Sequence, residues 1–205
     1  MEYIVATTAS PSHAWDDRDT VLRIVDTQGL CLRFASAALK DDYDVVLTAV
    51  TRSGHALQYA SETLRGDRTI VIQAMNKTPF ALKHASNEIR SDRTFMLTVM
   101  SPNCLLVDLA HSTLRRDSGF MLSCMERCGG SHVLSNALQS LRRDRAFFAR
   151  AVTQYPSALQ YAHISIRGDR EIVLAAISAS ADWHQGVVLW RVIVLEWASG
   201  ALRDD

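Results

Sequence analysis

The stretch Ala56-Leu57-Gln58-Tyr59-Ala60-Ser61-Glu62-Thr63-Leu64-Arg65-Gly66-Asp67-Arg68-Thr69-Ile70-Val71-Ile72 decides the fold. Leu57, Ala60 and Leu64 are spaced three and four apart, which puts them on one helical face. Asp67 then stands before an apolar run, where its carboxylate can accept hydrogen bonds from amides that no earlier turn satisfies. One helix is predicted to end near Arg65 and the next to begin at Asp67.

The same arrangement returns along the chain. Asp17, Asp42, Asp67, Asp92, Asp117, Asp144 and Asp169 follow one another in steps of 25, 25, 25, 25, 27 and 25. The longer step holds two extra residues around Gly129-Gly130-Ser131. Small residues recur at Ala35, Ala60, Ala85, Ala110, Ala137, Ala162 and Ala198. Branched aliphatics stand four places later, at Leu39, Leu64, Ile89, Leu114, Leu141, Ile166 and Leu202. Another aliphatic column stands three places earlier, from Leu32, Leu57 and Leu82 through Val107 and Leu134 to Leu159 and Leu195. The alanines would let a neighbouring backbone come close. Gly29, Gly54, Pro79, Pro102, Gly129 and Pro156 punctuate the units. Glycine there can take the left-handed conformation that ends a helix, and proline cannot continue one.

Each unit is therefore expected to be a helix of about ten residues, a tight turn and a second similar helix. Helices this short gain stability by stacking on the pairs before and after. The expected fold class is all-α: an α-solenoid of short antiparallel helix pairs with a 25-residue period. Residues 1–15 read as an N-terminal extension. Residues 16–205 read as a single helical repeat array of about seven units, with an atypical capping unit at 169–205.

Composition narrows the function classes. The 205 residues are 48% hydrophobic and 21% charged, enough apolar material for a sizeable core. Lysine plus arginine (22) equals aspartate plus glutamate (22), which argues against DNA binding and against a dedicated RNA binder. Met1 to Ser12 lacks the pattern of a secretory signal. The most apolar stretch, Gly186 to Ala198, carries Arg191 and Glu196 and falls short of the ~20 apolar residues that cross a bilayer. A soluble protein is expected, with membrane association only through a partner. Four cysteines, at 31, 104, 124 and 128, are too few and too unevenly placed for a disulfide framework. A reducing compartment, cytoplasm or organelle interior, is the expectation.

The pattern Leu64-Arg65-Gly66-Asp67-Arg68, preceded by Ala56-Leu57-Gln58-Tyr59-Ala60-Ser61, resembles a domain of unknown function of roughly fifty residues, about two of the present units. That domain occurs in tandem copies in many protist, microalgal and giant-virus proteins and in some bacterial effectors. The resemblance covers residues 16–178 well and the last unit less well. It implies the fold and carries over no catalytic set.

Three features are candidates for function. Trp183, Trp190 and Trp197 are seven apart within the most apolar segment, so on a continuous helix they would form one stripe. Tryptophan is a frequent interface anchor, and a terminal cap packed on the array would use the same residues. Arg115, Arg116, Arg142, Arg143 and Arg145 lie in a basic middle: residues 110–170 hold nine cations and four anions, against six and nine in residues 1–66. Such segregation suits an acidic partner surface. The wider ladder of Lys40, Arg65, Arg90, Arg115, Arg142, Arg167 and Arg203, each within two residues of an aspartate, reads mainly as cations at helix ends facing carboxylates at the next helix starts. Cys124, Cys128 and His132 have a C-x₃-C-x₃-H spacing, but no fourth ligand is evident; they read as unliganded core and turn residues, and no cofactor or metal is expected.

No P-loop, G-x-G-x-x-G, H-E-x-x-H or G-x-S-x-G signature occurs, so catalysis is not expected. The sequence reads as a non-catalytic protein–protein interaction or scaffolding protein, a structural subunit of a larger assembly. The alternatives are an accessory subunit of an organellar (photosynthetic or respiratory) membrane complex, a microbial effector inhibiting a host enzyme, and RNA binding through the arginine row.

Overall fold

The computed structural model describes residues 13–100, 104–135 and 137–181, with 194, 196 and 198 as isolated positions. The described residues are helical and contain no strand. No described helix is long and apolar enough to cross a membrane. The chain divides into two compact units, Met1–Asp92 and Arg93–Asp205.

In the first unit the capping aspartates act as their positions predict. Asp17, Asp42 and Asp67 hold extended backbone, and each accepts a hydrogen bond from the amide three residues on. Behind them run three ten-residue α-helices: α1 (Arg18–Thr27), α3 (Tyr43–Arg52) and α5 (Arg68–Lys77). Helix α3 packs on α1 on one side and α5 on the other. It therefore buries Val45, Val46, Ala49 and Val50, more than a single stripe.

The second half of each unit differs from the expected ten-residue helix. It is a six-residue 3₁₀ helix followed by a short α-helix. The 3₁₀ segments are Gly29–Phe34, Gly54–Tyr59 and Pro79–His84. The short helices are α2 (Ala37–Lys40), α4 (Glu62–Arg65) and α6 (Asn87–Ser91). The cause is the Ala-Ser pair between them. Ala35, Ala60 and Ala85 turn extended, with ψ near 153°, 157° and 156°. Ser36, Ser61 and Ser86 then cap the short helices, accepting from the amides of Leu39, Leu64 and Ile89. A serine that can bond its own neighbouring backbone competes with helix continuation. The three apolar columns still share a buried face, since Leu32, Leu57, Leu82 and their alanine and aliphatic partners are all buried. They do so across a break.

That break also links successive units. The Ser36 amide donates to the Trp15 carbonyl at 3.0 Å, Ser61 to Lys40 at 2.8 Å and Ser86 to Arg65 at 2.9 Å. One backbone bond recurs at each of these three steps, pinning each repeat of this compact unit to the one before it.

The punctuating glycines also do other work than expected. Gly129 is the one described residue at positive φ, 79°, and it ends α9 (Ser118–Cys128). Gly29 and Gly54 instead allow close approach. A Cβ on Gly29 would lie 2.3 Å from the Ala49 carbonyl oxygen, and one on Gly54 the same distance from that of Ala74. Glycine is required there by contact with the following unit.

The second unit repeats these parts with changes. Its long helices are α7 (Arg93–Met100), α9, α12 (Arg145–Gln154) and α14 (Arg170–Ala181). Its short ones are α8 (Ser112–Arg116), α11 (Gln139–Arg142) and α13 (Ile164–Arg167). The 3₁₀ segments are Cys104–Leu109 and Pro156–Tyr161. Where the sequence has its two extra residues, an α-helix, α10 (Gly130–Ser135), stands in place of a 3₁₀ segment and packs on both of them. His111 and His163 occupy the serine position, and their Nδ1 atoms accept from the amides of Thr113 and Ser165.

Candidate interaction surface

Three 3₁₀ segments of the first unit lie side by side, Gly29–Phe34 against Gly54–Tyr59 and that against Pro79–His84. Each buries its leucine completely: Leu32, Leu57 and Leu82 are 0% exposed. A 3₁₀ helix has three residues per turn, so side chains three apart align. The outward positions are large. Leu30, Phe34 and Phe80 are 46%, 50% and 44% exposed. Two ring contacts lie along the row: Trp15 and Phe34 centroids are 5.1 Å apart, and His55 of the second segment meets His84 of the third edge-on at 5.9 Å. The Arg33 guanidinium sits 4.4 Å above the Phe34 ring. None of the three segments contains an aspartate or glutamate.

Partial burial, with Lys83, His55 and Arg65 nearby, lowers the pKa of His84 from its ordinary value of 6.5. The unfolded chain then takes up a proton more readily than the folded one. Stability is fully present at neutral pH and falls as pH drops below 6.5 towards the lowered folded value. His84→Tyr supplies the residue that the column carries at Tyr59 and Tyr161. It is expected to remove a decrement of less than about 1 kcal/mol between pH ~7.5 and ~5.5, since half-exposed charge is screened. Chemical unfolding of both proteins at the two pH values measures it.

The tryptophan stripe of Trp183, Trp190 and Trp197 lies outside the described residues. The five arginines of the basic middle are placed, and several are engaged within the fold. Arg142 donates from Nε to the Ala137 carbonyl at 3.1 Å and from a terminal nitrogen to that of Ser135 at 2.9 Å. Arg145 pairs with Asp169 at 2.7 Å and with Glu171. Arg143 stands 3.3 Å from Nε2 of His163. Arg116 is exposed, and Arg115 is half-buried with its Nε closed off from solvent. Arg65, Arg90 and Arg167, in the same column, share that closed Nε, so the column contributes packed stems as much as charge.

The ion-pair ladder runs through a different column from the one the sequence suggested. The arginine immediately after a capping aspartate reaches the capping aspartate of the next unit. Arg18 donates to Asp42 at 2.7 Å and to Asp44 at 2.5 Å. Arg68 pairs with Asp92, and Arg93 with Asp117 at 3.0 Å. Arg145 with Asp169 repeats this. The guanidinium of Arg18 holds the Asp42 carboxyl below the usual carboxylate range, and Arg145 does the same for Asp169. The signal was present as Asp-Arg dipeptides at 17–18, 67–68, 92–93 and 144–145.

The cysteine expectation requires correction. Cys104 and Cys128 form a disulfide, with Cα atoms 5.5 Å apart at a sequence separation of 24. The argument from free thiols for a reducing compartment goes with it. Cys128 is thereby withdrawn from the C-x₃-C-x₃-H trio. Cys124 is a free, buried thiol, and burial pushes its pKa up to about 12. The pairing follows from the repeat itself. Gly54 and Thr78 occupy the equivalent positions in the first unit, and a Cβ on Gly54 would stand 3.0 Å from that of Thr78.

The fold and surface define a class: among the described residues, a protein of short helices, many with side-chain caps, in which backbone and ion-pair contacts recur between repeats within each compact unit. The chain belongs to the family described as Domain of unknown function (DUF4116), which it matches at residues 17–65, 67–106 and 144–203. No curated protein and no solved structure matches it.

Proposed function

We propose that this chain is a non-catalytic protein–protein interaction or scaffolding protein, built as an α-solenoid of units about 25 residues long. The observation that carries the reading is the 3₁₀ row of the first unit. It exposes Leu30, Phe34 and Phe80 on elements whose other side is firmly buried. Several exposed apolar and aromatic groups on adjoining elements suit a partner better than solvent. The links between consecutive units, Ser61 to Lys40 and Ser86 to Arg65, support a frame that holds such a row in register. The three matches to one repeated family support the same repeated design.

The test is affinity capture by the full chain from lysate of its source cells, compared with a Phe34→Ser/Phe80→Ser variant. Both sites are exposed, so helicity is expected to survive. A stable protein partner lost in the variant supports the reading. A chain that captures nothing and turns over a substrate contradicts it.

A further inference from the structure

In the first unit Arg18, Arg52, Arg65 and Arg68, all on α-helices, are paired with carboxylates of the same unit. Arg33 and Lys83 stand instead on the adjoining 3₁₀ segments, which carry no aspartate or glutamate of their own. Among the described residues, neither Arg33 nor Lys83 has a carboxylate within ion-pair distance. His55 and His84 make edge-on contact across the second and third segments, and Phe34 and Phe80, on the first and third, are exposed.

We infer that this face takes an acidic peptide segment carrying aromatic or aliphatic side chains, contributed by a partner protein. The inference rests on the interaction reading above and adds the chemistry of what is bound. Charge complementarity selects the sign: an extended acidic segment supplies the carboxylates that Arg33 and Lys83 lack, and its apolar side chains cover Phe34 and Phe80. A nucleic-acid strand shares the stacking chemistry and fails on charge. It presents a continuous row of phosphates, whereas the strip offers two full cations, with Asp19 and Asp44 in the first turns of the adjoining helices. A segment a few residues long can lie along the strip and avoid those carboxylates.

The experiment pans a random peptide library displayed on phage against the full chain, with counter-selection on an Arg33→Glu/Lys83→Glu variant. Both substituted side chains are exposed, so the fold is retained, and circular dichroism checks that. Enriched peptides are expected to be net negative and to contain aromatic or aliphatic residues. A synthetic copy of one is expected to bind the variant at least about tenfold more weakly in fluorescence anisotropy. It is also expected to shift the imidazole resonances of His55 and His84. Enrichment of neutral or basic peptides, or equal affinity for the variant, overturns the inference. So does tighter binding of an oligo-dT of about twelve nucleotides at the same salt. If the Phe34→Ser/Phe80→Ser variant loses a captured partner but no acidic peptide is enriched, the interaction reading stands and this inference falls. If neither occurs, both fall.

Discussion

Replacing Gly54 by alanine is expected to destabilise the first compact unit by about 3 kcal/mol or more, a large share of an ordinary domain's stability. The added methyl would stand 2.3 Å from the Ala74 carbonyl oxygen. That oxygen belongs to the backbone of α5 and also accepts the Thr78 amide at 3.0 Å, so it cannot swing away without losing a hydrogen bond. Relief requires α5 to move off the Gly54–Tyr59 segment, opening the contact that buries Leu57 and Ile70. Gly119→Ala is the control. A Cβ there meets nothing closer than the Asp117 carboxylate at 3.4 Å, and the residue is helical, so the change is expected to be neutral or stabilising by up to about 1 kcal/mol. Urea unfolding of the three proteins makes the comparison. A Gly54→Ala protein as stable as the parent would mean that consecutive units do not approach this closely.

Reduction of the Cys104–Cys128 disulfide is expected to cost about 3.5 kcal/mol, the chain-entropy value for a closed loop of this length. Cys104→Ser is expected to cost a similar amount. The bond joins the start of the Cys104–Leu109 segment to the last residue of α9, two elements that also pack directly. The effect should therefore concentrate in residues 104–128. Hydrogen exchange before and after treatment with a dithiol reductant localises it: faster exchange in α9 and the Cys104–Leu109 segment, unchanged exchange in α1 and α3. Cys124 does not complicate the result, because a thiol with its pKa near 12 stays protonated and is a poor partner for exchange. Unchanged exchange throughout would show that packing alone holds these segments.

Much of this fold was legible in the residues, for identifiable reasons. An aspartate before an apolar run has a single economical use, and Asp17, Asp42, Asp67, Asp117 and Asp144 all serve as side-chain caps. The Leu32, Ala35 and Leu39 column was correctly assigned to the buried face. Its backbone was not, because over six residues a three-residue turn and a 3.6-residue turn put the same side chains inward. The serine after each alanine could have separated them, since it caps the short helix only if the preceding helix has already stopped.

The surface was less legible. Leu30, Phe34 and Phe80 stand outside the three periodic columns, and hydropathy alone does not mark such apolar side chains as exposed. The disulfide was hidden because its cysteines occupy two different columns of the repeat. They meet because positions 24 apart touch across neighbouring units, as Gly54 and Thr78 do. Arg142 and Arg145 stood out as surface charge, yet the folded chain engages them with its own carbonyls and carboxylates.

Hydrogen–deuterium exchange of the full chain, alone and bound to its captured partner, tests the interaction reading most directly. Added protection is expected in Gly29–Phe34, Gly54–Tyr59 and Pro79–His84, the three adjoining segments that carry the exposed rings. Protection confined to other segments, with these three exchanging at their free rates, would contradict it.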